Sequence, residues 1–254
     1  MPYVNNSGVR IHFEVEGDGP PLVLQHGLTQ CTLDWIECGY VASLRSHFRV
    51  ILIDARGHGQ SDKPHDAASY NLSLRVSDVT AVLDALDVAR ANYWGYSMGG
   101  YIGFGLAKFC PARLDHLVIG GQHPYARDQS VFRGWVAAAM SGGTPLEVAI
   151  ADTDPSLTER YTNRLRGADL SALLAATPDR GTMEDILPNI AAPCYLYVGE
   201  EDPALSQVRS AAPHIPNVRL VTLPGLTHLG AFNESQIVLP GVTGFLRGIE
   251  LGKE

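Results

Sequence analysis

Residues 95–99 read Gly-Tyr-Ser-Met-Gly, and no other stretch of the chain constrains its fold as strongly. The apolar residues 91–94 before it are typical of a buried strand, and residues 100–108 after it are typical of a helix. In a G-x-S-x-G turn between a strand and a helix, the glycines allow the two elements to approach closely. The N-terminus of the following helix favours negative charge beside the serine. The pattern predicts a strand–turn–helix unit that presents Ser97 as a nucleophile.

Two later strand ends carry groups that are suited to activate this serine. Residues 195–198 are typical of a buried strand and lead to Asp202, and a strand predicted over Val218–Leu223 leads to His228. A serine hydroxyl is a weak nucleophile at neutral pH, so it needs a base and a group that orients the base. Because the carboxyl ends of parallel strands meet at one sheet edge, we expect Ser97, Asp202 and His228 to form a catalytic triad there.

The acid of this triad has alternatives. Glu200 and Glu201 lie beside Asp202, and each is a candidate for the same role. Asp202 also precedes Pro203, and such a pair is typical of a helix start, so its carboxylate could cap a helix as well as orient the base. No carboxylate closely follows the earlier strand predicted over 117–120, which therefore offers no further candidate.

A second loop is expected to complete the site. The strand predicted over Pro21–Gln25 runs into His26 and then towards Leu28. Acyl transfer develops negative charge on a carbonyl oxygen, and each preorganised N–H donor is worth about 2.7–4 kcal/mol in the transition state. We expect these donors to be the backbone amides of Leu28 and of Met98, the residue after the nucleophile. His26 precedes the nucleophile in the chain, and we interpret it as a structural loop histidine.

The chain resembles the α/β-hydrolase superfamily. The resemblance rests on residues 54–62, which read D-x-R-G-x-G-x-S-D, together with the His-Gly pair at 26–27 and the serine turn at 95–99. The resemblance covers essentially the whole chain apart from a variable middle. Within the superfamily, the chain is similar to the serine-nucleophile branch, which includes carboxylesterases and enol-lactonases. Because Ser97 stands where haloalkane dehalogenases and epoxide hydrolases carry aspartate, the resemblance disfavours those reactions. It also implies that the loop at 54–62, including His58, is structural rather than catalytic.

The resemblance implies a mostly parallel central sheet with helices on both faces and a small helical cap. Predicted strands and helices alternate along the chain, which agrees with this α/β class. We expect a first part of the core over 1–120, a cap over 121–190 and a second part of the core over 191–254, ending in a helix over 234–247. The middle lacks a convincing strand, and Gly/Pro-rich joints divide it into short predicted helices at Ser130–Met140, Leu146–Ala151, 156–164, 170–176 and 183–187.

A cap over the strand ends excludes water and sets the size of the acyl or alcohol group. Large side chains in the cap and near the serine are candidates to line this pocket. For each of those in the cap, a role in packing the cap onto the core explains the presence of the residue equally well. The tentative substrate-binding residues are Trp35, Tyr96, Phe132, Trp135, Met140 and Tyr161.

Composition excludes several other classes of function. The 254 residues carry a formal net charge of −8 without a basic stripe, so we expect a small-molecule substrate and neither a nucleic-acid nor a membrane partner. Scattered histidines and cysteines give no metal-binding pattern, and we expect no cofactor. No signal peptide and no 18-residue apolar run is recognisable, which predicts a cytoplasmic location. The sequence leaves open whether the chain forms a homo-oligomer.

The function most consistent with these motifs is that of a serine hydrolase that cleaves a carboxylic ester or lactone of a small substrate through an acyl-enzyme. C–C bond hydrolysis of a diketone and cofactor-free perhydrolysis use the same triad and remain alternatives. A small-ligand receptor that retains the triad is the alternative outside enzymes, and the absence of any added partner-binding segment in the sequence favours the enzyme.

Overall fold

The computed structural model describes residues 2–248, so Met1 and residues 249–254, the end of the predicted second core part, lie outside the described residues. Eight strands form a single sheet. They are β1 (Tyr3–Asn6), β2 (Val9–Glu16), β3 (Pro21–Gln25), β4 (Arg49–Ile53), β5 (Ala91–Tyr96), β6 (Leu114–Gly120), β7 (Cys194–Gly199) and β8 (Val218–Leu223).

The strand order across the sheet is β1-β2-β4-β3-β5-β6-β7-β8. The β1–β2 and β2–β4 pairs are antiparallel, and every pair from β4 to β8 is parallel. The carboxyl ends of these six parallel strands therefore lie along one edge of the sheet, where their loops converge. The predicted α/β class with a mostly parallel sheet is confirmed.

Helices pack on both faces of the sheet, and four further helices form an insertion. The core helices are α1 (Thr32–Glu37), α2 (Tyr40–Leu44), α3 (Leu72–Ala85), α4 (Met98–Phe109), α9 (Leu205–Ala211), α10 (Gly230–Asn233) and α11 (Ser235–Leu246). The insertion holds α5 (Ser130–Met140), α6 (Leu146–Ala151), α7 (Glu159–Arg166) and α8 (Leu170–Ala175). Short 3-10 turns occur at Ala67–Tyr70, Pro111–Arg113, Glu184–Asn189 and Ala212–His214.

The central strands are buried on both faces, which explains why their sequences are apolar throughout rather than alternating. All six residues of β5 are buried. Tyr93 packs on one face with Val79 of α3, and Trp94 packs on the other with Trp35 of α1 and Phe232 of α10. Two apolar layers thus hold β5 rigidly, and β5 is the strand that leads into the serine turn.

We call residues 121–190, between β6 and β7, the cap segment. Its helices share a small apolar cluster of their own that also includes Leu229 of the core. The helices predicted over Ser130–Met140 and Leu146–Ala151 are confirmed residue for residue. The helix predicted over 156–164 begins later, at Glu159, because the Thr158 side chain caps it by accepting a hydrogen bond from the third helical amide. The helix predicted over 183–187 is a 3-10 turn.

Candidate active site

Ser97 occupies the turn between β5 and α4. Its backbone has φ 50° and ψ −110°, a conformation that L-residues rarely adopt. The Ser97 amide donates to the Gly120 carbonyl at 2.8 Å, and the Ser97 carbonyl accepts from the Tyr101 amide at 3.0 Å and the Gln122 side-chain amide at 3.1 Å. These hydrogen bonds hold the strained turn at the carboxyl edge of the sheet.

The two glycines of the turn are required by close backbone contacts. A Cβ atom on Gly95 would lie 2.2 Å from the carbonyl oxygen of Gly99. A Cβ atom on Gly99 would lie 2.1 Å from the carbonyl oxygen of Gln25. Both distances are far inside van der Waals contact with rigid backbone, so any larger residue would push α4 away from the sheet and displace Ser97.

Asp202 follows β7 and His228 follows β8, and the structure brings both to Ser97. The Nδ1 atom of His228 lies 2.6 Å from Oδ2 of Asp202, and its Nε2 atom lies 3.0 Å from Oγ of Ser97. The other Asp202 oxygen accepts a hydrogen bond from the Ala204 amide at 2.8 Å, so this carboxylate also supports the loop that carries it. The alternative acids at 200 and 201 are exposed to solvent.

Each member of the acid–base pair stabilises the charge of the other. Burial disfavours the ionised carboxylate of Asp202, but His228, with smaller contributions from the Ala204 amide and Arg127, holds its pKa below the ordinary value. Burial and the charge of Arg127 likewise disfavour the imidazolium, but Asp202, with a smaller contribution from Asp154, raises the pKa of His228. His228 therefore has an increased affinity for a proton while Asp202 stays ionised, which suits a base oriented by a carboxylate.

The two predicted oxyanion donors lie at the same place. Met98 is the first residue of α4, and the loop after β3 brings Gly27 against Ser97, so that a Cβ atom on this glycine would lie 3.4 Å from Cβ of the serine. Among residues 2–248, neither the Leu28 amide nor the Met98 amide has a hydrogen-bond acceptor. Neither amide is therefore occupied by another group of the protein, and Leu28 lines the cavity at Ser97.

The cap segment contacts the histidine loop through Asp154. This buried carboxylate accepts hydrogen bonds from the Leu229 amide at 2.7 Å and from the Thr227 hydroxyl at 2.7 Å, the residues on either side of His228. Its negative charge also contributes to raising the pKa of His228, after the larger effects of burial and of Asp202. No motif in the sequence singled out Asp154, which lies 74 residues before the histidine that it supports.

Tyr161 of α7 contacts the other loop. Its hydroxyl donates to the Leu28 carbonyl at 3.3 Å and also contacts the Thr29 hydroxyl. Thr29 has a left-handed backbone, with φ 68°, and its own hydroxyl donates to the Leu28 carbonyl. The tyrosine therefore fixes the peptide that follows the Leu28 amide, in addition to lining the pocket as the sequence predicted.

The 54–62 loop contributes structure to the core. Asp54 accepts hydrogen bonds from the Thr32 amide at 2.8 Å and the Gln60 amide at 2.9 Å. His26 and His58 are both buried, and burial lowers the pKa of each. His26 accepts a hydrogen bond from the backbone amide of residue 55 at 3.0 Å, so it ties the loop after β3 to the loop after β4.

A cavity of about 730 Å³ opens at the serine, between the sheet edge and the cap segment. Ser97, Asp202 and His228 line it together with backbone from the loop after β3. Four of the six tentative substrate-binding residues also line it, namely Tyr96, Phe132, Trp135 and Tyr161. The Tyr96 hydroxyl in addition donates to the His228 carbonyl.

The expectation that Trp35 lines the pocket is wrong. This residue is fully buried on α1, beneath the sheet, and does not reach the cavity. Its ring packs edge-on against Tyr40, Trp94 and Phe232, with centroid distances of 4.8, 5.4 and 4.9 Å. A large aromatic side chain suits a core position as well as a pocket wall, and the local sequence around Trp35 does not distinguish the two.

The expectation for Met140 is also wrong. It is the last residue of α5 and is 47% exposed, and it is not among the cavity-lining residues. Phe132 and Trp135 lie on a different face of α5, separated by one helical turn, and that face meets the cavity. The cavity is further lined by three basic side chains that no sequence motif indicated as site residues, His123, Arg127 and Arg180.

Within residues 2–248, no group of three or more His, Cys, Asp or Glu side chains is arranged to hold a metal ion. Over the same residues, no helix is long and apolar enough to cross a membrane.

Comparisons with known proteins agree with this architecture. Residues 20–142 match the family model described as the alpha/beta hydrolase fold. The enol-lactonase of Burkholderia xenovorans LB400 superposes with a TM-score of 0.86 at 25% identity, over 97% of this chain and 100% of that one. A Synechocystis protein provisionally assigned as a non-heme chloroperoxidase is 28% identical over 97% of this chain and its own full length. Bifunctional epoxide hydrolase 2 of Sus scrofa is 32% identical over 42% of this chain, but only 19% of that protein is covered.

The chain belongs to the α/β-hydrolase superfamily, and the fold and its relatives identify it as a hydrolase. The names of these relatives span lactone, epoxide and halide chemistry, so the bond that is cleaved has to be argued from the site itself.

Proposed function

We propose that the protein is a serine hydrolase that cleaves a carboxylic ester or lactone through an acyl-enzyme. The observation that carries this proposal is the hydrogen-bonded chain from Asp202 through His228 to Ser97 at the base of the cavity. A serine in place of the aspartate nucleophile of epoxide hydrolases argues for acyl transfer rather than epoxide opening. The likeness to an enol-lactonase over nearly the whole chain supports the same reaction class.

In the first half-reaction, Oγ of Ser97 attacks the carbonyl carbon while Nε2 of His228 takes its proton. Asp202 stabilises the imidazolium that forms, and the amides of Leu28 and Met98 stabilise the oxyanion. The imidazolium then gives its proton to the leaving alkoxide oxygen, and the C–O bond breaks. The acyl group stays on Ser97, and for a lactone the alcohol remains attached to it.

In the second half-reaction, His228 takes a proton from water, and the hydroxyl oxygen attacks the acyl carbon. The second oxyanion forms at the same two amides and collapses with release of the acid, while His228 returns the proton to Oγ of Ser97. Substrate and water together supply all the atoms of the alcohol and the acid, so the reaction needs no cofactor.

Labelling with a fluorophosphonate probe tests the nucleophile directly. We expect mass spectrometry of the labelled protein to place the adduct on Ser97, and Ser97→Ala to abolish labelling. Ser206→Ala is the matched control, because Ser206 is an exposed serine on α9 that does not line the cavity. Labelling that persists in Ser97→Ala would assign the reactive group to another residue.

Perhydrolysis is the second candidate, and the relative provisionally assigned as a chloroperoxidase favours it. Hydrogen peroxide would replace water in the second half-reaction, and the acyl group would leave Ser97 as a peracid. Measuring peracid and carboxylic acid from the same ester at increasing peroxide concentration separates the two outcomes. Acid as the main product at every concentration supports the hydrolase.

The remaining alternatives are tested by turnover. A vinylogous diketone assayed beside the esters reveals C–C bond hydrolysis, since the diketone and one water would then yield a carboxylic acid and a ketone. A receptor that retains the triad would accept one acyl group and release it very slowly. Repeated rapid turnover of p-nitrophenyl esters supports the enzyme, and a single burst without release supports the receptor.

A further inference from the structure

Two arginines that have no role in the triad line the cavity that contains Ser97 and His228. Arg127 precedes α5, and Arg180 follows α8. Their backbones are joined by two hydrogen bonds, from the Arg127 amide to the Arg180 carbonyl at 3.0 Å and from the Arg180 amide to the Arg127 carbonyl at 2.9 Å. This short antiparallel bridge places two guanidinium groups at the base of the cap segment, beside the site of the proposed reaction.

The guanidinium of Arg180 is held in place, but not all of its hydrogen-bond donors have an acceptor within residues 2–248. It stacks over the ring of Tyr101, with 4.7 Å from Cζ to the ring centroid. With the Gln129 amide oxygen facing it, Nε and Nη2 of Arg180 donate to that oxygen at 3.0 and 3.2 Å. The Nη1 atom is buried and has no acceptor within residues 2–248. A buried donor without an acceptor is costly, so the guanidinium of Arg180 keeps hydrogen-bonding capacity that no group within residues 2–248 uses.

The carboxylates of the cavity do not supply that acceptor, because each is engaged elsewhere. Asp202 binds His228, and Asp154 binds the backbone and side chain on either side of that histidine. Asp128 accepts from the Ser130 amide at 2.7 Å. Within residues 2–248, no carboxylate oxygen lies within 4.0 Å of a side-chain nitrogen of Arg127 or Arg180.

Asp179, the neighbour of Arg180 in the chain, is also occupied, by the Gln129 amide at 2.9 Å and by Arg133 at 2.7 Å. Arg127 is exposed to solvent, whereas Arg180 is half-buried, and no carboxylate within residues 2–248 pairs with either side chain although the formal net charge of the chain is −8. Burial, together with Arg127 and Arg180, lowers the pKa of the adjacent His123 to about 4. Burial lowers the pKa of Arg180 itself to about 9, which leaves it charged at neutral pH.

We propose that Arg127 and Arg180 form an anion subsite that binds a carboxylate of the substrate, so that the preferred esters or lactones carry a second, negatively charged group. A guanidinium offers parallel N–H donors that match the two oxygens of a carboxylate. The aromatic side chains of Phe132 and Trp135 line the same cavity and suit the hydrocarbon between the two carbonyl groups. This assignment of the substrate class rests on the proposed serine hydrolase function.

The test compares charged substrates with a neutral isostere. Monomethyl succinate, glutarate and adipate vary the distance between ester and carboxylate, and methyl 4-carbamoylbutanoate replaces the carboxylate of monomethyl glutarate with an amide. We expect kcat/KM for the best of the three acids to exceed that of the amide by at least about tenfold, the value of charge-assisted hydrogen bonds. Equal kcat/KM for acid and amide would overturn the proposal.

Two variants tie the preference to the arginines. Arg180→Met keeps most of the apolar stem of the side chain and removes the charged guanidinium, and Arg127→Gln keeps a polar end. We expect each to reduce the acid-to-amide ratio of kcat/KM by about tenfold or more, chiefly through KM of the acid. Arg90→Gln is the matched control, because it makes the same change of net charge at an exposed arginine paired with Asp115. A ratio that falls equally in Arg90→Gln would mean that only long-range charge is involved.

A binding measurement separates this proposal from the proposed reaction. Calorimetry with glutarate and with inorganic phosphate uses the Ser97→Ala protein, which needs no turnover. Glutarate binding that is lost in Ser97→Ala/Arg180→Met supports the subsite even if no ester is cleaved, in which case the hydrolase proposal alone fails. Neutral esters cleaved by wild type, together with no glutarate binding, would refute the subsite alone. Tighter binding of phosphate than of glutarate would refute the assignment to a carboxylate.

Discussion

The strand-end loops of the core and the cap segment support the same site by different means. In the core, the backbone places the nucleophile: Ser97 has φ 50°, and a Cβ atom on either glycine of its turn would lie within about 2.2 Å of a backbone oxygen. In the cap segment, isolated side chains reach down to the loops. Asp154 bonds to the residues on either side of His228, and Tyr161 bonds to the Leu28 carbonyl.

This difference separates what is fixed from what can vary. A turn built by backbone contacts tolerates almost no substitution, because the displaced atoms belong to the sheet itself. A side chain from an inserted segment can be exchanged with little effect on the sheet, so the cap segment is suited to set specificity. Asp154 and Tyr161 nevertheless mean that this segment also affects the geometry of catalysis. Substitutions in the core and in the cap segment test how far catalysis and specificity can be separated.

The largest effect is expected for Ser97→Ala. Removal of the triad nucleophile should lower kcat by on the order of 10⁶ while the fold is retained. The measurement is kcat on a p-nitrophenyl ester, with circular dichroism and thermal unfolding as the controls for folding. A loss much below 10³ would mean that Ser97 is not the nucleophile and that the core does not contribute as described.

The next effect concerns Asp202→Asn, which should lower kcat by roughly 10⁴ because the imidazole would be held in the wrong tautomer. Glu200→Gln and Glu201→Gln are the matched controls, since both carboxylates are exposed and lie within two residues. If either control loses activity to this extent while Asp202→Asn remains nearly active, the acid of the triad has been wrongly assigned.

The pH dependence provides a second measure of the same pair. His228 must be neutral to accept the proton of Ser97, so activity should rise with pH as the imidazolium deprotonates. Because Asp202 raises the pKa of His228, the midpoint of this rise should lie above 6.5, the ordinary value for histidine. In Asp202→Asn the stabilising charge is absent, so the midpoint should move to lower pH. A midpoint that does not move would exclude His228 as the titrating base.

Asp154→Asn tests whether the cap segment affects catalysis. The substitution keeps the shape of the side chain but removes the charge and one good acceptor, so we expect kcat to fall by about 10- to 100-fold through misplacement of His228. The fall should be similar for short and long acyl chains, and the pH midpoint should also decrease, because the Asp154 charge helps to raise the pKa of His228. Asp152→Asn, at an exposed carboxylate two residues away, is the control. A loss of kcat confined to esters with long acyl chains would mean that Asp154 acts as part of the pocket wall and does not position His228.

The features that could be predicted from the sequence follow the same division between the core and the cap segment. The serine turn, the strands Pro21–Gln25 and Val218–Leu223 and the positions of Asp202 and His228 could be predicted, because each depends on local periodicity or on a short motif. Contacts between residues far apart in the chain could not. No local pattern around Asp154 indicates that its carboxylate accepts a hydrogen bond from the Leu229 amide. Arg127 and Arg180 become neighbours only when the cap segment folds. Local sequence likewise could not show that Trp35 faces the core rather than the cavity.

The smallest effect, and the sharpest test of separation, concerns α5. Phe132→Ala and Trp135→Ala enlarge the cavity without touching the triad, and each methylene-sized change in a pocket wall is worth about 1–3 kcal/mol of discrimination. We expect the ranking of acetate, butyrate, hexanoate and octanoate esters by kcat/KM to shift towards longer chains, with little change for the best small ester. Met140→Ala, on the same helix but exposed and outside the cavity, should leave the ranking as it is. A uniform fall for all four esters in Trp135→Ala would show that α5 supports the triad as Asp154 does, and that specificity and catalysis are not divided between the two regions.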